Sequence, residues 1–391
     1  MINRKSAYNM LQLIKSVVSD TDNVPFFTED ELSELLKTSQ RHSLCAITAY
    51  ALEKLGYYSE QFHEEKAKAL RRRALIDIEL RHISEQLNEK NIKFLKLKGV
   101  VLNKFYPKTY LREMVDVDIL VDPVRRFDVK QLMEGLGYKT VRYGLLNDDV
   151  YQKKDFFNFE MHSSLFDKYS NSRFYEYYRD IFDRLSDSEN SDYEKFFSAE
   201  DLYIYLIIHV QKHFYNGGAG IKYLLDIYLF LKHQKPSFSW DYIYSEMKKL
   251  GLCEFEEQTR NLSLKVFNNQ SLSTEESVLL DEYLLYGAHG SFSHYISIRT
   301  VGKSEKRGAA RYIVKRVFPA ANDLPEGYRF FYKHKTLLPF LWLYRFVRVS
   351  VRYPSKVIDE LKTVKRVEKE NLDKDDNERN LRNNLYHSEK K

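Results

Sequence analysis

The sequence predicts an α+β protein in which a small mixed sheet lies between helical segments. Three observations predict it. Residues 1–90 carry apolar side chains at helical spacing between capping signals, residues 91–167 hold short β-branched runs punctuated by Gly and Pro, and the helical period returns from about residue 168.

Each element follows in order. "TEDELSELLKTSQRHSLCAITAYALEKLG" opens with a capping box, Thr28 with Glu31 three residues on, and ends at Gly56, so it reads as one helix. "HEEKAKALRRRALIDIELRHISEQLNEKN" reads as a long charged helix whose apolar stripe is Leu70, Leu75, Ile78, Leu80, Ile83 and Leu87. Ile92 to Lys98 is a strand closed by Gly99, and a short helix follows in "VVLNKFY", stopped by Pro107. "MVDVDILV", residues 114–121, is the next strand. "DPVRRFDVKQLMEGLGY" is a helix with Asp122 as N-cap, Pro123 in its first turn and Gly137 near its end. "FFNFEMHSSL" is a further strand carrying Glu160 and His162. From 168 to 330 helices are expected throughout, one of them capped by Ser198, and "NGGAG" at 216–220 reads as the turn between two of them.

Composition narrows the function classes. Hydrophobic residues make up 43% and charged residues 30% of 391, as in globular proteins, and a net charge of +6 lies far from the basic density of a dedicated nucleic-acid binder. Cys45 and Cys253 are the two cysteines, too few for a disulfide framework or a cysteine zinc site, which assigns the chain to a reducing compartment, the cytoplasm. The most apolar window, "LLPFLWLYRFVRVSV", is cut by Arg345 and Arg348 short of the ~20 apolar residues of a membrane span. Its aromatic and basic composition makes a peripheral membrane contact through 331–353 one expectation, with packing on the helical domain the other.

Asp116 and Asp118 interrupt an otherwise apolar strand. With 56 acidic residues, chance gives roughly eight acid-x-acid triplets, so spacing alone says little. The setting says more: residues i and i+2 of a strand share a face about 7 Å apart, and like charges held together among Val115, Val117, Ile119, Leu120 and Val121 need a counter-charge. Neutralising either one is therefore expected to leave the stability of the metal-free protein unchanged or slightly raised. Two-metal phosphoryl transfer uses such a pair with a third carboxylate from a neighbouring strand, here Glu160.

Together, "LKLKGVVLNKFYPKTYLREMVDVDILV", "FEMHSSL", "IIHVQKH" and "IKYLLDI" resemble the bacterial uncharacterised nucleotidyltransferase family of the DNA polymerase β-like nucleotidyltransferase superfamily, over about residues 30–350. The resemblance implies a polymerase-β-like core with Asp116, Asp118 and Glu160 as catalytic and metal carboxylates for two Mg²⁺ ions, and Gly99 as the phosphate-contacting turn. It implies transfer of a nucleoside monophosphate from an NTP to an acceptor hydroxyl or phosphate, the acceptor being a small molecule, a saccharide, RNA or a protein. Val100 departs from the Ser or Gly of many superfamily members. A toxin-like enzyme acting on tRNA or protein and a non-catalytic helical module with a degenerate core are the alternatives.

Further nucleotide-binding candidates surround this set. Lys98 and Arg112 are phosphate-binding cations, Arg112 with pairing to Asp116 as its structural alternative. His162 shares the face of Glu160 and either touches metal or substrate or is a hydrogen-bonded structural residue. His209 and His213 stand i, i+4, but Val210 occupies the place of the glutamate in a zinc-protease motif, so zinc is not expected; with Lys212 they either face the nucleotide cleft from the helical domain or are plain structural residues. The expected units are a helical segment 1–90, a catalytic core 91–167, a helical domain 168–330, an aromatic and basic segment 331–360, and a charged tail 361–391, read as a solvated helix or disordered and dispensable for folding.

Overall fold

The computed structural model describes residues 2–19, 26–154, 156–168, 172–189, 191–234, 238–287, 296, 312–320, 324, 328–352 and 354–372. It is α+β. Seven strands form one mixed sheet: β1 (Phe94–Lys96), β2 (Val117–Val121), β3 (Lys139–Arg142), β4 (Asp148–Lys153), β5 (Phe157–His162), β6 (Ser186–Ser188) and β7 (Ser191–Phe196), in the order β3-β4-β5-β2-β1-β7-β6. The pairs β2/β5 and β1/β7 are parallel and the others antiparallel.

Period-two alternation divides the sheet between two cores. Val117, Ile119 and Val121 of β2, with Phe159 and Met161 of β5, pack under the helices α4 (Glu60–Glu89) and α6 (Arg126–Gly135). The intervening Leu120 faces the other way, into the large core built by α1 (Arg4–Val18), α8 (Ala199–Tyr215) and α9 (Ile221–Gln234). Asp118 and Glu160 belong to this second face, so their carboxylates meet the helical domain.

Several expectations change in detail. The Thr28 capping box is present, with Thr28 N–H donating to Glu31 Oε2 at 3.0 Å, but the helix ends at His42 and a second, α3 (Cys45–Lys54), begins after Ser43. Ser43 is left-handed (φ 53°), which breaks the path where the sequence offers no Gly or Pro. The stripe of α4 is Ile76, Leu80, Ile83 and Leu87, while Leu70, Leu75 and Ile78 are exposed. Asp122 caps its turn by accepting from Val124 N–H at 2.9 Å, Ser198 caps α8, and 216–220 is the interhelical turn. Strands β6 and β7 lie within the stretch assigned to helices, so the sheet extends past 167. Asp116 and Val115 precede β2, which starts at Val117.

The boundary at 361 also moves. A helix runs from Pro354 to Leu372 and buries Val364 and Val367 in a small cluster with Ile296 and Tyr312. Residues 373–391 of the expected tail lie outside the described residues. Burying a valine contributes about 1.5 kcal/mol or more, so truncation after Glu360 is expected to expose the 312–318 segment. Limited proteolysis should cut there faster than in the full chain while the melting of the sheet is unchanged; equal cleavage would mean that these valines add nothing.

Candidate active site

The parallel register of β2 and β5 builds the site. Asp118 stands opposite Glu160, and Leu120 opposite His162. His162 Nε2 approaches Asp118 Oδ1 at 2.8 Å and Glu160 Oε2 at 3.9 Å. Among the described residues, ligand atoms of Asp118, Glu160 and His162 come within 4.8 Å of one another, a set of donors able to hold a metal ion. Glu160 is not at a sheet edge, since β5 is flanked by β4 and β2.

Asp118 is 3% exposed and takes two donors on one oxygen, His162 and the Lys98 ammonium at 2.6 Å. Burial opposes its ionisation, but Lys98 and His162 outweigh that and hold its carboxyl far below the usual range. Burial likewise opposes the Lys98 charge and Asp118 restores it, raising Lys98 above an ordinary lysine. Glu160 behaves oppositely: burial, then the charges of Asp116 and Asp118, raise its carboxyl above the usual carboxylate value. Asp116 is outside the three-residue cluster, although it lines the same cavity and its charge reaches Glu160, Lys98 and Arg72. The pairing of Asp118 with Lys98 corrects the expectation that two unneutralised aspartates repel here.

Lys98 and Gly99 are shaped by packing. Lys98 has φ 48° and ψ −117°, a region that a residue with a Cβ rarely adopts and that costs on the order of 1–3 kcal/mol. A Cβ on Gly99 would stand 2.4 Å from both Arg112 Nη1 and Met114 Sδ, so glycine is needed there for the protein's own side chains to fit. Arg112 does not pair with Asp116. Its Nε and Nη2 donate to the two oxygens of Asp226 on α9, each at 2.8 Å, and Tyr106 donates to the same carboxylate at 2.7 Å. This buried fork ties the β1–β2 connection to the helical domain.

A cavity of about 350 Å³ opens over these residues. Its acidic side holds Asp116, Asp118, Glu160 and Asp148; the opposite wall comes from α8 and α9, with His209, Lys212, His213 and Lys222. The rings of His209 and His213 lie 4.5 Å apart, and Tyr223 stacks on His213 at 5.1 Å. Burial first, then His213 and Lys98, push the His209 imidazole well below its ordinary value, leaving it a neutral wall. Burial and Lys98 lower Lys212. Lys222 donates to the Glu113 carbonyl at 2.6 Å, and burial with Arg112 pushes its ammonium down to about 8.

Sequence reasoning missed Lys222, Asp226 and Asp148. Lys222 and Asp226 lie in "IKYLLDI" four residues apart on one helix face, a signal without a role until α9 is seen over the cavity. Asp148 lies on β4, which was not foreseen, and is paired with Arg142.

A family model described as an uncharacterised nucleotidyltransferase matches residues 28–268, more than half of the chain and including every residue of this site. No curated protein and no solved structure matches the chain.

Two predictions follow from this geometry. Asp226→Asn strands a buried guanidinium and should cost about 3–5 kcal/mol, and Gly99→Ala, which overpacks a fixed Arg112, about 1–3 kcal/mol. In the double variant the released Arg112 can yield, so denaturant titration should give less than the sum; strict additivity would show that Arg112 does not fix the room at Gly99. Lys222 gives the second. Below about pH 8 it is charged in both folded and unfolded chains, and between there and the ordinary lysine value of 10.5 the unfolded chain holds the additional proton. Wild type should therefore gain roughly 2–3 kcal/mol relative to Lys222→Met between about pH 7 and about pH 10. Stabilities that stay parallel over that range would mean that Lys222 titrates normally.

Proposed function

The chain belongs to the uncharacterised nucleotidyltransferase family, and on that premise we propose that it is a divalent-metal-dependent enzyme, with Mg²⁺ as the expected ion. It moves a nucleoside monophosphate from an NTP to an acceptor hydroxyl or phosphate and releases pyrophosphate. The observation that carries this reading is the convergence of Asp118, Glu160 and His162 within 4.8 Å in a cavity that Lys98, Lys212 and Lys222 also line.

The donor set suits a divalent cation. Two carboxylates converge there, oxygen donors of the kind a hard cation takes, beside an imidazole of the kind transition-metal ions take; Glu160 is destabilised as an anion by burial and by Asp116 and Asp118, and His162 Nδ1 is buried with no hydrogen-bond partner among the described residues. Asp118 and Glu160, with His162, would hold one ion, and Asp116, which lines the same cavity, would be the carboxylate for a second. A bound cation supplies neutralisation of the charge that develops on the phosphoryl oxygens. The chain's own groups do the rest. Lys98, Lys212 and Lys222 receive the triphosphate, whose negative charge offsets the burial and the neighbouring positive charge that lower the latter two. Glu160, made more basic by its surroundings, accepts the proton of the acceptor hydroxyl as that oxygen bonds to the α-phosphorus and the bond to pyrophosphate breaks. The intact carboxylates favour an enzyme over a degenerate binding module.

Incubation of the protein with each labelled NTP and a cell extract tests this. Label should move to an acceptor in the presence of Mg²⁺, and Asp118→Asn or Glu160→Gln should reduce transfer by about 10³-fold or more. Stability without metal should separate the two. Asp118→Asn leaves Lys98 uncompensated and should cost about 1–3 kcal/mol, whereas Glu160→Gln removes a repelled charge and should be neutral or stabilising. Transfer that survives both substitutions would refute the assignment.

A further inference from the structure

The helix Leu338–Arg352 turns its apolar stripe outward. Leu337, just before it, and Phe340, Leu343, Tyr344 and Val347 recur at steps of three and four, the spacing of a single helix face, and all are exposed, Phe340 at 71% and Leu343 at 65%. The other side is the docked one: Leu341 is buried, Trp342 donates its indole N–H to the Pro319 carbonyl at 3.0 Å, and its ring meets Phe318 edge-on at 5.4 Å. A helix that only completes a core has the reverse arrangement.

The charge around the stripe has one sign. Residues 327–358 contain seven Lys or Arg and neither Asp nor Glu. Arg348 lies over the Tyr344 ring within the stripe, and Lys333 and Lys335 precede it. Glu360, in the following helix, is taken up by Arg316 and Tyr312. No helix among the described residues is long and apolar enough to cross a membrane.

We propose that this face is a peripheral docking surface for an anionic lipid bilayer, with Phe340, Leu343 and Tyr344 entering the interface and the surrounding cations meeting the headgroups. Aromatic and aliphatic side chains backed by Lys and Arg on a helix lying in the surface plane are what such an interface selects. A second copy of the chain is disfavoured as occupant, because a symmetric pairing would bring two acid-free basic segments together. The surface lies outside the cavity, and its assignment does not rest on the catalytic reading.

Co-sedimentation of the full chain with phosphatidylcholine vesicles, with and without phosphatidylglycerol, tests the proposal. Binding is expected with phosphatidylglycerol, weaker without it and weaker in high salt. The variant Phe340→Ser/Leu343→Ser should bind at least tenfold less tightly at an unchanged melting temperature, and Arg348→Glu should lose affinity mainly in low salt. Absence of binding to the anionic vesicles, or equal binding by the double variant, would overturn the proposal. So would a wild-type dimer that the double variant converts to monomer, which would give the face to a second copy.

Discussion

One buried carboxylate organises the site. Asp118 lies on a strand between two cores, where an ionised group survives only with partners, and it has two: the Lys98 ammonium and the His162 ring on a single oxygen. Lys98 reaches it from a residue with an unusual backbone conformation, and His162 comes from the strand paired in parallel with β2. The strained turn, the register and the lowered pKa of Asp118 are thus facets of one contact. Glu160, beside it with His162 Nε2 farther off at 3.9 Å, is left the more basic of the two carboxylates.

The helical domain completes what the sheet begins. Alternation along β2 and β5 sends one set of side chains under α4 and α6 and presents the other to α8 and α9. The Arg112–Asp226 fork, with Tyr106 on the same carboxylate, fixes α9 against the β1–β2 connection, so the cations of α8 and α9 stand across the cavity from the acids. Glu113 strengthens the seam, its carboxylate accepting from Ala46 N–H at 2.7 Å near the start of α3 while its carbonyl accepts from Lys222. A polar cavity between two apolar cores can keep its shape because its walls are held by these charged hydrogen bonds.

Much of this was legible in the sequence, for definite reasons. Asp118 announced itself as a charge in a β-branched run, and Glu160 and His162 by their i, i+2 spacing on another strand. Period two placed Glu160 and His162 on one face of their strand, and the register that brings Asp118 beside them comes only with the fold. Strands β3, β4, β6 and β7 were hidden because "KTVR", "DDVYQK", "SDS" and "SDYEKF" are short and polar and are held by pairing with neighbours. The pairing of Arg112 with Asp226 spans 114 positions and leaves no local trace. Asp116, similar in pattern to Asp118, differs from it because the strand starts one residue later, a boundary that periodicity does not fix. The valines of the last helix were overlooked among charges, since two buried residues suffice to dock it.

On our proposal Asp118, Glu160 and His162 form a divalent-cation site. Paramagnetic Mn²⁺ titrated into protein with isotope-labelled histidine reads it directly, because broadening falls steeply with distance from the bound ion. The ring signals of His162 are expected to broaden first, at substoichiometric Mn²⁺, ahead of those of His209 and His213 across the cavity, and Mg²⁺ should reverse the effect. Broadening confined to other histidines, or none before nonspecific binding sets in, would contradict the account.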